Sequence, residues 1–226
     1  MTRPSGTWPP QPPSPPEPPF PHRTPWLPGP RPTSAPPVSA SAMVVEGRDW
    51  LGERLLDQRV VALAGELDDE AVNRTVAALA LLDAEGDDAV RLRLSGVSAD
   101  LDAALTIVDA LDLMGAPVHA TALGVLTGPA VALLAVADHR VAGPHAVLRL
   151  KEPRTAHALR SGEVDTWAAE HARQLRRLQE RLAEATGRPV EQIAADMAAG
   201  RALSAQEAKD YGLVDDADPA RRAADR

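Results

Sequence analysis

The apolar positions along the chain change period several times, and each change marks an element. "RVVALAG" (59–65) is a short β-branched run closed by glycine, the pattern of a buried strand. "LDDEAVNRTVAALALLDAEG" (67–86) opens with acids, which suit the positive end of a helix, and closes on Gly86. "AVRLRLSG" (89–96) alternates apolar with polar, as a strand with one wet face does. In "ADLDAALTIVDALDLMG" (99–115), Leu101, Leu105, Val108 and Leu111 recur at three- and four-residue steps, a helix stopped by Gly115. "APVHATALGVL" (116–126) predicts a strand, "GPAVALLAVADHR" (128–140) a buried helix with Pro129 in its first turn, and "HAVLRL" (145–150) a further strand. This repeated strand–helix order predicts an α/β domain with mostly parallel strands.

The stretch "EVDTWAAEHARQLRRLQERLAEATG" (163–187) has another period. Val164, Ala168, His171, Leu175, Leu178, Leu182 and Ala185 follow each other at alternating four- and three-residue steps. That is a narrow, coiled-coil-like seam about 36 Å long at 1.5 Å per residue. The other faces are Glu, Arg and Gln. Such a helix either lies on its own sheet or projects and meets another subunit. His171 sits on the seam as a packed or interfacial side chain.

Composition narrows the class. The chain has 226 residues, 44% of them hydrophobic but only 3% aromatic, so the core must be Ala, Val and Leu. Sixteen of the 22 prolines fall within residues 1–40, in runs such as "PPQPPSPPEPPFP". Proline fixes φ and removes a donor, so residues 1–42 are expected to be a disordered, partly polyproline-II tail. Trp8 and Trp26 would aid a proline-binding partner, and a start at Met43 would place the segment outside the translated protein. Residues 217–226 read as a short C-terminal tail. The net charge of −8 and interspersed basic residues argue against nucleic acid. Without cysteine there is no disulfide or thiolate metal site, which suits a cytoplasmic protein. Ala120–Ala137 carries no charge, yet Gly124, Gly128 and Pro129 interrupt it, so a buried strand and helix are expected rather than a membrane span.

From about Trp50 to Asp215 the chain resembles the ClpP family, the proteolytic subunits of Clp protease. The strongest piece is "ATGRPVEQIAADMAAGRALSAQEAKDYGLVD" (185–215), where a Thr-Gly follows the long helix and "LSAxEAxxYGLVD" closes the domain. "WLGERLLDQRVVALAGELDDEAVNRTVAAL" (50–79), "ALTIVDAL" and "GAPV" (115–118) also fit. The resemblance implies the ClpP/crotonase-like spiral of β-β-α units over residues 43–216, with 163–187 as the protruding handle helix. It also implies seven-membered rings stacked through that helix, and an AAA+ chaperone partner.

The family's chemistry is acyl transfer by Ser, His and Asp, with backbone N–H groups holding the oxyanion. Carried over position by position, all four parts are missing. The nucleophile of the "GxAxSxA"-like stretch matches Ala132 in "GPAVALL", and the base of "HQP" matches Lys151 in Lys-Glu-Pro. The acid before "RFLSAxEA" matches Gly200, and the "SPGG" oxyanion turn matches "GVSA", with Val97, Ser98 and Ala99. Losing a triad nucleophile alone costs on the order of 10⁶ in turnover. The expectation is a catalytically inactive subunit, assembling with itself or with active paralogues through the handle helix. Two rivals stand beside it. One is an active endopeptidase rebuilt on Lys151 with Thr127 or Ser98 as nucleophile. The other is a crotonase-like acyl-thioester enzyme using Glu152. "DMAAG" keeps Asp196 but not the Arg-Asp pair used near the ring–ring contact, so a single ring is also open. His119, His139 and His145 lack metal-ligand spacing, and the acids at 68–69 and 87–88 suit element ends. "LGVLTG" and "AGPH" make no phosphate loop. No cofactor or metal is expected.

Overall fold

The computed structural model describes residues 50–153 and 164–217. The proline-rich segment and residues 218–226 lie outside them, as does the approach to the handle helix. The elements, in order, are α1 (Trp50–Leu56), β1 (Val60–Leu67), α2 (Asp69–Glu85), β2 (Val90–Ala99), α3 (Leu101–Asp112), β3 (Val118–Leu123) and β4 (Val125–Thr127). A 3₁₀ turn (Gly128–Ala130) leads into α4 (Val131–Ala135), then β5 (His139–Ala142), β6 (Val147–Arg149) and the handle α5 (Val164–Thr186). The chain closes with α6 (Val190–Ala199), β7 (Ala202–Ser204) and α7 (Ala205–Tyr211). This is the mixed α/β architecture expected of the ClpP fold. The acids at the element ends are caps: Asp68 and Asp100 accept the Ala71 and Ala103 amides at 2.8 Å, opening α2 and α3.

The sheet forks. β2 pairs with β1 along its length, but on its other edge its first six residues pair with β3 and Ser98 pairs with Thr127 of β4. β3 continues outward to β5, and β4 to β6 and then β7, the last pairing antiparallel. The fork lies on a line of glycines. Between Ala64–Ser95 and Gly65–Val97 the register skips Gly96, which is left unpaired at φ +62°. On β1, Gly65 has φ +76°, and Gly124, where β3 breaks from β4, has φ +69°. Left-handed backbone is cheap only for glycine, so this line lets neighbouring strands bend together. The expected strand over 116–126 is therefore two strands. The helix expected over 128–140 ends at Ala135, because residues 139–142 pair with β3 as β5.

One face of the sheet carries the core. Leu63, Leu92, Leu94, Ile107, Leu126, Leu133 and Leu148 are essentially sealed, and the uncharged stretch Ala120–Ala137 lies among them as β3, β4 and α4. No described helix is long and apolar enough to cross a membrane. Ala217, expected in the tail, is buried with this core. The handle seam is covered over only part of its length. Leu178 and Leu182 are buried and Leu175 is half-buried, and Arg181 ties the helix to Asp112 of α3 at 2.7 Å. Ala168, Ala169 and Ala172 are exposed, and Trp167 and His171 stack on each other at 4.7 Å.

Arg140 knots the ends of three helices. Its Nη1 donates to the carbonyl oxygens of Gly212 (3.0 Å), Ala185 (3.1 Å) and Ala135 (3.5 Å). Nη2 and Nε donate to the Asp215 carboxylate at 2.6 and 3.2 Å. A cation at three helix C-termini neutralises their partial negative charge. Gly212 closes α7 at φ +92°, and a β-carbon there would fall 2.7 Å from the Thr186 carbonyl oxygen. Gly212→Ala is expected to cost about 2–3 kcal/mol by urea unfolding, from strain and that clash. The hydrogen bond from Arg140 holds the Asp215 carboxyl below the usual carboxylate range, against the opposing pull of partial burial. A depressed acid adds stability above its unfolded pKa and loses it as pH falls toward its folded value. Asp215→Asn should cost about 1 kcal/mol at neutral pH, discounted for partial exposure, and flatten the acid limb of stability below about pH 4.

Candidate functional site

A nucleophile in this class sits where a strand turns into a helix, and the structure places that corner at Thr127–Gly128. Gly128 follows β4 at φ +65°, opens the 3₁₀ turn and is itself buried. Ala132, taken from the motif as the nucleophile position, is the second residue of α4 with 0% exposure. Its methyl group belongs to the core and meets no substrate, so the corner lies four residues earlier. Pro129 in a first helical turn is the sequence signal that marks it. Gly128 offers no side chain, and Pro129 has no N–H to give an oxyanion at that helix start.

The base and acid positions do converge. Lys151 follows β6, and a β-carbon on Gly128 would lie 3.4 Å from its carbonyl oxygen. Gly200 is the left-handed C-cap of α6 at φ +68°, with open space where a side chain would start. Lys151, Glu152, Met197 and Gly200 border one open groove of about 560 Å³, together with Arg149 and Ala202. The Glu152 amide donates to the Met197 carbonyl (3.2 Å), and the Leu150 amide to Arg201 (2.8 Å). Lys151 and Gly200 thus border one groove, and buried Gly128 lies behind the Lys151 backbone rather than in its lining.

Val97, Ser98 and Ala99 form no turn. They end β2 as continuous strand, with Ser98 in register with Glu66 on one side and Thr127 on the other. Without proline or paired glycines the chain has no reason to leave the ladder before the Asp100 cap. Register then sets a row across the sheet: Glu66, Ser98, Thr127, Arg149 and Ala202. The row brings Ser98 and Thr127 together, as a rebuilt site requires, but Thr127 faces Arg149 rather than Lys151. Lys151 is exposed, without the dry setting that makes a lysine a base. Glu152 is exposed too, and its amide is already spent on Met197.

Elsewhere, Asp196 accepts from the Tyr211 hydroxyl at 2.6 Å and from Arg201 at 3.1 Å, so it serves this subunit's own packing. Burial and that bond push the Tyr211 hydroxyl well above its ordinary range. His119 and His139, which lack metal-ligand spacing along the chain, meet edge to face at 5.5 Å on neighbouring strands. Among the described residues no three metal-ligating side chains gather.

A family model described as Clp protease matches residues 47–218. The chain belongs to the Clp protease family. It is 31% identical over 189 residues to an ATP-dependent Clp protease proteolytic subunit of Pleurastrum terricola, covering 81% of this chain and 96% of that one. With the ATP-dependent Clp protease proteolytic subunit 3 of Rhodococcus jostii (strain RHA1) it shares 33% over 171 residues, covering 74% and 85%. Within this Clp-family scaffold, the corner and the core position respond differently to serine. Ala132→Ser should lower stability by about 1–2 kcal/mol, through a buried hydroxyl, and leave labelling by a fluorophosphonate probe at background. Gly128→Ser should also stay unlabelled, with Lys151 at the neighbouring turn and no amide N–H at Pro129; labelling of either variant would refute the assignment.

Proposed function

We propose that this chain is a non-catalytic subunit of a Clp-type assembly, built into a ring with itself or with active paralogues. The observation that carries the reading is the corner: Gly128 has no nucleophilic atom, Pro129 no donor, and Lys151 and Gly200 replace base and acid around it. Removing one donor from an oxyanion hole costs on the order of 10²–10³, and losing the nucleophile far more. Two uncovered surfaces support assembly. In the first half of the handle Ala168, Ala169 and Ala172 are exposed among the described residues, and Leu81 and Leu113 lie 48% and 85% exposed on the outer helices. Apolar surface of this kind marks contact faces.

In a mixed ring such a subunit dilutes active sites and alters the entrance offered to an AAA+ chaperone. Light scattering after size exclusion should give a multiple of the 23.9 kDa chain mass at micromolar concentration. Trp167→Ala with His171→Ala should reduce that mass while leaving the thermal midpoint within about 2 °C, because both lie on the uncovered half. A fluorogenic peptide should remain intact with the chain alone, and an active sister subunit's turnover should change on mixing. A monomer that cleaves the peptide would refute both halves of the proposal.

A further inference from the structure

The groove that has lost its triad holds two cations without acid partners. Arg149 and Lys151 stand two residues apart at the end of β6, both exposed, and neither makes a hydrogen bond or ion pair among the described residues. Arg140, Arg181, Arg201 and Lys209 elsewhere hold carboxylates, whereas here two uncommitted cationic side chains border the same groove. The pair also contrasts with the chain's charge of −8, against which a free basic pair is a local exception. Met197, Ala198 and Ala202 give the groove an apolar floor, and Glu152 sets one acid on its rim against the two cations. Across the sheet the row from Arg149 runs through the hydroxyls of Thr127 and Ser98 to Glu66 at the far strand. A cationic end, neutral hydroxyls and an acidic end in one line define a direction.

We infer that this groove is a docking site for an acidic peptide segment, which lays its carboxylates against Arg149 and Lys151 without being cleaved. Guanidinium and ammonium groups together suit carboxylates, the first through a paired fork and the second as a point charge. Hydrophobic neighbours of the acid settle on the exposed Ala198 and Ala202. The inference rests on the non-catalytic reading of the site and adds a ligand class to it: the subunit retains acidic segments where its relatives' sites would process peptide.

The test uses the full chain and three rhodamine-labelled octapeptides followed by fluorescence anisotropy: one with four glutamates, its glutamine counterpart, and its lysine counterpart. The glutamate peptide should bind about tenfold tighter than the glutamine one, the gain expected of a single charged hydrogen bond. That preference should fade as salt rises from about 0.05 M to about 0.5 M. Arg149→Glu with Lys151→Glu should abolish the preference, and Glu152→Gln should strengthen it; unchanged thermal midpoints would show that both variants are folded. Equal binding of glutamate and glutamine peptides, or a preference indifferent to both variants, overturns the inference while leaving the non-catalytic reading intact. Mass spectrometry of the recovered peptide separates the two: cleaved product would overturn the non-catalytic reading whatever the affinities.

Discussion

Everything in this domain depends on one strand serving two leaves of sheet. Among the described residues, β2 pairs along nearly all its length with one neighbour and divides its other edge between two. Its first residues hold the leaf ending in β5, and its last hold the leaf ending in β7. Parallel strands cannot diverge without a break in the ladder, and the skipped Gly96 provides it beside Gly65 and Gly124. A β-branched residue on that line would force the neighbouring strands to remain in one plane. The groove would then lose its floor, because β4, β6 and β7 exist only on the second leaf.

The second constraint is electrostatic. Three helices end near Arg140, each with carbonyl groups that no further turn can satisfy. One planar guanidinium meets them and still reaches Asp215, so the handle, α4 and the closing helix are fixed to the first leaf by one side chain. This anchors the inner part of the handle, while Ala168, Ala169 and Ala172 of its outer part are exposed among the described residues. The division explains a seam that continues in sequence beyond where the fold covers it.

Much of this was legible in the chain itself, and the failures have physical causes. The helix limit at Gly86, the capping acids and the handle follow from local chemistry, which acts within a few residues. The family was legible because "LSAQEAKDYGLVD" preserves cap, core and closing contacts together. Four points were not legible. The break between β3 and β4 depends on the register of β2, a distant strand. β5 was hidden because His139 and Arg140 follow an apolar run and read as its polar end, whereas Arg140 is recruited by Asp215 across 75 residues of chain. Ala132, the expected nucleophile position, lies sealed within α4, while the strand turns into the helix at Gly128, and a run of small residues does not separate the two in sequence. Only the φ of Gly128 shows where the strand turns. His119 and His139, and likewise Arg149 and Thr127, became neighbours through parallel pairing, which leaves no trace in linear spacing.

The left-handed cap at Gly200 bears on how such a chain changes over generations. Glycine is the residue that this backbone prefers, and replacing it with an acid would cost on the order of 1 kcal/mol in strain. The same holds at Gly128, where any side chain must accept φ +65°. A side chain at either position is therefore introduced against backbone strain. Folding free energy by itself resists placing any reacting group at these two points, whatever that group could do there.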